Sequence, residues 1–191
     1  MKELESLFAA VDQAFEQVAG EYAEEVRCGK GCADCCHAAF DVSLVEAVNL
    51  WRQVGSMPET VQEVMRKAAR DALCVWDTLL SEKGDLSRAR IRCPLLNAAG
   101  QCLCYRARPV NCRTYGIPTV IAGKAHVCGL AGFEQGKTYP VVHLEAIQRI
   151  LYDLSVQMGG SDVGQRRWSV AAIVHGEPLV AGLAEHLETK G

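Results

Sequence analysis

Apolar residues recur at steps of three and four near the start of the chain: Leu4, Leu7, Phe8, Val11, Phe15, Val18 and Tyr22, with acids on the opposite face. That period predicts an amphipathic helix over residues 2–26. Gly29 and Gly31 break it. A second helix is predicted from near Asp41, where Ser43 and Glu46 have capping-box spacing ahead of Val45, Val48, Leu50 and Trp51, and Gly55 ends it. Pro58 suits the first turn of a third helix, running to about Glu82 and stopping before Gly84. The helical period is lost over 84–130, where only Ile117 to Val127 reads as regular structure, a small hairpin turning at Ala122-Gly123-Lys124. It returns from Val141, with Leu144, Ile147, Ile150, Leu151 and Leu154 on one face, and two shorter helical segments follow near 166–174 and 178–189. The expectation is a mostly α single domain over 1–191. Residues 1–27 and 140–190 form helices that pack on an irregular, cysteine-rich core at 28–128.

Composition narrows the function. The chain has 191 residues, 49% hydrophobic and 23% charged, which fits one globular domain and excludes a disordered chain. A net charge of −3 argues against a nucleic-acid partner held by bulk charge. No apolar run approaches the ~18 residues of a membrane span. Met1-Lys2-Glu3-Leu4-Glu5 places acids where an export signal carries bases, so the expected location is cytoplasmic. Stable disulfides are rare in a reducing compartment, and clustered cysteines there read as metal ligands or redox groups.

Ten cysteines are present, in two groups and one singleton. The first group is Cys28-x3-Cys32-x2-Cys35-Cys36, where glycines let the loop fold back so that several thiolates converge. The second is Cys93-Pro94, Cys102, Cys104 and Cys112, with Cys128 beyond the predicted hairpin. Cys74, beside Leu73, Val75 and Trp76, is expected to be a small buried packing residue. Thiolates select zinc, cuprous copper or iron–sulfur clusters over hard cations. Eight of them can fill two four-coordinate sites, or one four-cysteine cluster with four thiols to spare. One compact quartet and a scattered quintet fit the paired knuckles of zinc proteins poorly, and Cys93-Pro94 is a step that iron–sulfur proteins use.

Residues 83–113 carry a net charge of +6 and residues 1–27 a net charge of −5. Four thiolates around a divalent zinc or an oxidised four-iron cluster leave a charge near −2, which nearby arginines would stabilise. The same arginines also suit a solvated face paired with the acidic first helix.

Cys28 to Cys36, followed by Cys93-Pro94-Leu95-Leu96, Gly100-Gln101-Cys102, Tyr105, Arg108-Pro109, Cys112-Arg113 and Tyr115, resembles the YkgJ-like cysteine-cluster family of zinc- or iron-chelating domains. The resemblance covers about residues 28–128. It implies Cys28, Cys32, Cys35, Cys36, Cys93, Cys102, Cys112 and Cys128 as metal ligands, with Arg108 and Arg113 beside the centre. Three residues separate Cys28 from Cys32 where the family has two, and Cys104 stands where the family has an aliphatic residue. Related segments occur in flagellin lysine methylases and carry an iron–sulfur assignment. The functional expectation is an iron–sulfur protein, 4Fe-4S favoured, with an electron-transfer or oxidoreductase role and a protein redox partner. The alternative is a zinc-binding structural or interaction protein without redox activity.

Other motifs add little. Cys28-x3-Cys32-x2-Cys35 has the radical S-adenosylmethionine spacing, but Asp34 occupies the aromatic position and no series of alternating strands and helices follows. His37 and His126 lie close enough in sequence to the cysteines to replace one as ligand, whereas His143, His175 and His186 fall on predicted helices. Gly159 to Gly164 has phosphate-loop spacing without its Lys and Ser or Thr. Tyr105 and Tyr115 are expected to pack between helices.

Overall fold

The computed structural model describes residues 1–29, 31–85 and 88–188. Helix α1 (Lys2–Glu21) is followed by an irregular segment that contains a 3-10 turn at Asp34–His37. Strand β1 (Asp41–Ser43) leads into α2 (Leu44–Gly55), and α3 (Glu59–Ser81) follows Pro58. The middle of the chain holds a 3-10 turn at Tyr105–Ala107, the four-residue helix α4 (Val110–Arg113), and the strands β2 (Thr119–Ile121) and β3 (Lys124–His126). Strand β4 (Val142–His143), α5 (Leu144–Gly164), β5 (Arg167–Ser169), α6 (Val170–His175) and α7 (Pro178–Glu188) complete it. The fold is mostly α, as the hydrophobic period predicts.

The strands make two small sheets. β1 pairs antiparallel with β5, Val42 opposite Trp168, and each strand runs straight into a helix through a serine, Ser43 for α2 and Ser169 for α6. The second sheet has the order β3-β2-β4, with β2 parallel to β4. Ala122 and Gly123 both take positive φ, the backbone of a type I′ hairpin turn, at the predicted place. The predicted first helix stops five residues early. Tyr22 instead packs edge-on against Tyr139 and tilted against Phe133, which pins the chain as it leaves α1. The segment at 166–174 is a strand followed by a helix rather than one helix.

The main core joins α2, α3, α6 and α7 through fully buried Leu50, Val48, Met65, Ile173 and Val180. A second cluster ties Leu4 and Phe8 of α1 to Val45, Val110 and Leu151. Two side chains depart from expectation. Ile150 is 45% exposed, and Cys74 is exposed on the outer face of α3 rather than packed in the core. The Gly159–Gly164 stretch is a structural device. Gly160 has φ +72 inside α5, and a Cβ at Gly164 would meet the backbone of Ser155 and Val156, so these glycines let the end of α5 fold back on itself.

Candidate metal centre

Backbone pairing zips the two cysteine groups together. Ala38 bridges Arg90, Ile91 N donates to His37 O (2.9 Å), and Cys93 N donates to Cys36 O (2.7 Å). Cys93 is thereby laid beside Cys36. Beyond it the chain makes a tight loop in which Leu96 bridges Cys102 and Leu103 N donates to Leu95 O (2.8 Å). Gly100 supplies the φ of +72 that this turn needs. Arg92 secures the loop by donating to the carbonyls of Leu96 (2.8 Å) and Asn97 (3.2 Å).

Cys112 rides on α4, whose position is set by a buried carboxylate. Glu46 accepts from Ser43 N (3.0 Å) and Ser43 Oγ (2.7 Å) through one oxygen, and from Val110 N (2.8 Å) through the other. One acid thus caps α2 and holds the first N–H of α4. Arg113 locks the other end. Its guanidinium donates to the carbonyls of Arg108 (2.7 Å) and Arg106 (2.5 Å), pairs with Asp12 of α1, and stacks 4.0 Å over Phe8.

The result is a cavity of about 720 Å³ lined by eight of the ten cysteines, all but Cys74 and Cys128. Every pair among Cys35, Cys93, Cys102 and Cys112 is close enough for one thiol to feel the other's charge. Burial pushes Cys93 up to about 12, Cys112 well above the ordinary thiol value, and Cys102 upward. Cys35 moves the other way, to about 7. The Cys36 thiol 4.0 Å away hydrogen-bonds to it, and the positive charge of Arg108 helps against burial. Arg108 also works against the burial that raises Cys102 and Cys112, so one guanidinium serves three thiols. It is held in place by stacking 3.7 Å over Tyr105 and by a bond to Tyr105 O (3.1 Å). Tyr105 itself is 62% exposed rather than packed between helices.

Cys28 and Cys32 form a second grouping with Cys128. Burial and its thiol neighbours push Cys28 up to about 11, Cys32, Cys128 and Cys35 contributing in that order. Cys28 Sγ lies 3.4 Å from Tyr115 O, and a Cβ on Gly116, whose φ is +100, would overlap that sulfur. Asp34 joins this group to the rest. It accepts from Arg90 (2.5 Å) through Oδ1, and from Tyr115 Oη (2.9 Å) and Cys128 Sγ (3.4 Å) through Oδ2. Burial opposes its ionisation, but these three hydrogen bonds prevail and hold the carboxyl below its usual range.

His37 and His126 take no part in the cavity wall. The first bonds Ala33 O through Nδ1 (3.0 Å), and the second lies exposed on β3. Cys104 does line the cavity, 1% exposed and packed into the main core. Among the described residues, no three Cys, His, Asp or Glu side chains stand close enough together to hold one metal ion. A zinc ion with bonds of about 2.3 Å to four sulfurs needs them roughly 3.8 Å apart. Sequence reasoning missed Asp34 and Glu46 as organisers of the site; the capping-box spacing of Glu46 was visible, its bond to Val110 was not.

A cavity walled by cysteines, with an arginine in electrostatic reach of three of them, defines the class: a thiolate-rich metal-binding protein. Residues 27–129 match a family whose description is "CxxCxxCC: Putative zinc- or iron-chelating domain". That span is more than half of the chain, and the chain belongs to this family. No curated protein and no solved structure is significantly similar to it.

Proposed function

We propose that the protein is an iron–sulfur electron carrier or oxidoreductase whose 4Fe-4S cluster is held by Cys35, Cys93, Cys102 and Cys112. The observation that carries this reading is a single cavity walled by these four thiols, each in electrostatic reach of the others. Four cysteines are the ligand complement of such a cluster, and the cluster supplies one-electron chemistry when bound. Arg108 supports the reading as well, because a four-thiolate cluster centre is anionic and this guanidinium offsets charge on three of the four ligands. Arg113 acts through Arg108, by fixing the carbonyls of Arg106 and Arg108. Cys36 is a fifth thiol at the cluster's edge, and its hydrogen bond to Cys35 favours the thiolate there.

Anaerobic purification with iron, sulfide and zinc analysis tests this. About four irons and four sulfides per chain are expected, with a brown colour that bleaches on reduction. Serine at Cys93 or Cys112 should abolish that colour. A colourless protein holding zinc and no sulfide refutes the reading and makes the centre a structural one.

A further inference from the structure

The cavity is larger than a metal centre needs. A water in the liquid occupies about 30 Å³, and at that share the eight atoms of a four-iron, four-sulfide core fill about 240 Å³ of the 720 Å³. The surplus has an apolar wall. Ala72 and Trp76 stand one turn apart on the same face of α3, Val170 and Ala171 open α6, Phe40 leads into β1, and Ile91 comes from the backbone clamp. Ile91 and Cys93 donate across that clamp to His37 O and Cys36 O, and side chains two residues apart on an extended run share a side. The apolar wall is thereby continuous with the thiols. The two helices meet it through alanines, Ala72 at 6% and Ala171 at 2% exposure, so they place no bulky side chain in the recess. None of the six wall residues carries a charge.

We propose that this recess binds a flat, uncharged ring molecule of the quinone class, seated against Trp76 and Phe40 on the side of the cavity that Ile91 shares with Cys93. An apolar wall admits an uncharged body, because an unpaired charge there loses its hydration without return. Two aromatic side chains suit a ring by stacking or edge contact. The carbonyl oxygens of a quinone accept hydrogen bonds, and Gln101 and Arg108 bring donors to the same cavity. The seat rests on the cavity alone; the ring's role as electron acceptor rests on the iron–sulfur reading. Reduction to the quinol adds two electrons and two protons and turns both C=O groups into C–OH. The electrons come singly from the reduced centre and the protons from solvent, and an external one-electron donor restores the centre.

Equilibrium dialysis of the intact, anaerobically purified chain against 2,3-dimethyl-1,4-naphthoquinone tests the seat. Its methyl groups block the ring carbons that thiols would attack, and its fourteen non-hydrogen atoms need at most about 420 Å³ at the same share, within what the core leaves. Saturable binding of one molecule per chain is expected. Trp76→Leu keeps apolar bulk but removes the ring face, and should weaken binding about two- to tenfold. Ala72→Met fills the recess and should weaken binding by at least about tenfold. Iron and sulfide should stay unchanged in both variants. Chain reduced with dithionite and then desalted should be reoxidised by the quinone, with one quinol formed per two chains. Absence of saturable binding, or binding that neither variant alters, overturns the proposal. A cluster-holding chain that binds the ring without being reoxidised overturns the quinone class. Binding by a chain with zinc and no cluster sinks the electron-transfer reading and leaves the ring site standing.

Discussion

Glu46 is the most informative place to perturb the scaffold, because one side chain serves two helices. Replacing it with alanine strands the N–H of Val110, which is fully buried, and the N–H of the nearly buried Ser43, and removes the Ser43 Oγ bond as well. A buried hydrogen bond to a charged acceptor contributes about 1.5–3 kcal/mol, so losing two that share one acceptor should cost about 3–5 kcal/mol. Glu46→Gln offers one carbonyl oxygen in place of two carboxylate oxygens. It can satisfy Val110 or Ser43 but not both, and about 1–3 kcal/mol is expected. Ser43→Ala removes only the local cap, worth about 1 kcal/mol. Urea denaturation of the four proteins, with slopes compared to confirm a common transition, gives the order. Alkylation of Cys112 followed by mass spectrometry reports on α4 directly and should accelerate in Glu46→Ala, not in Ser43→Ala. Equal destabilisation by Glu46→Ala and Ser43→Ala would show that the bond to Val110 contributes nothing, and the account of how α4 is placed would fail.

Gly116→Ala should displace Cys28 and lower metal content, whereas Gly100→Ala, which also sits at positive φ but has open space where a Cβ would go, should cost only backbone strain of about 1–2 kcal/mol and keep the metal; metal analysis and thermal melts on the pair separate the two effects. In metal-free protein Cys35 should be the first thiol alkylated, with half-maximal rate near pH 7, because its lowered pKa leaves the thiolate in excess above that pH and the thiol below it. Cys36→Ala removes the hydrogen bond behind that shift and should move the profile to higher pH. Arg113→Met leaves two loop carbonyls and Asp12 without their partner and should destabilise the fold by about 3–5 kcal/mol, while Cys74→Ser, on an exposed face, should change stability by less than about 0.5 kcal/mol.

The helices were legible because their apolar residues repeat often enough to reveal a face, and the hairpin because Ala122-Gly123 sits between two short extended runs. Strands β1, β4 and β5 were not, since two or three residues are too few to show alternation and their pairing is long-range. Cys74 illustrates another limit. Its neighbours suggested a buried position, but on a helix immediate neighbours point in different directions, and residue 74 lands on the solvent side. The cysteines announced themselves by type and spacing. Their organisers did not, because Glu46 reaches Val110 across 64 residues and Asp34 reaches Cys128 across 94. In the sequence Asp34 appeared only as the wrong residue for a different motif; the fold makes it the point where three distant segments meet.

The separation of the two cysteine groups also sets a clock. Cys112 follows Cys35 by 77 residues, and the backbone clamp between Cys36 and Cys93 cannot form until the second group has been made. At about 5–20 residues per second, the first four thiols emerge on the order of 4–15 s before Cys112 exists. Throughout that interval the nascent chain carries a cluster of unprotected sulfurs with no cavity to enclose them. Metal delivered during synthesis would meet only four of the eight cysteines that the family resemblance implies, and oxidants would have their best opportunity in the same interval.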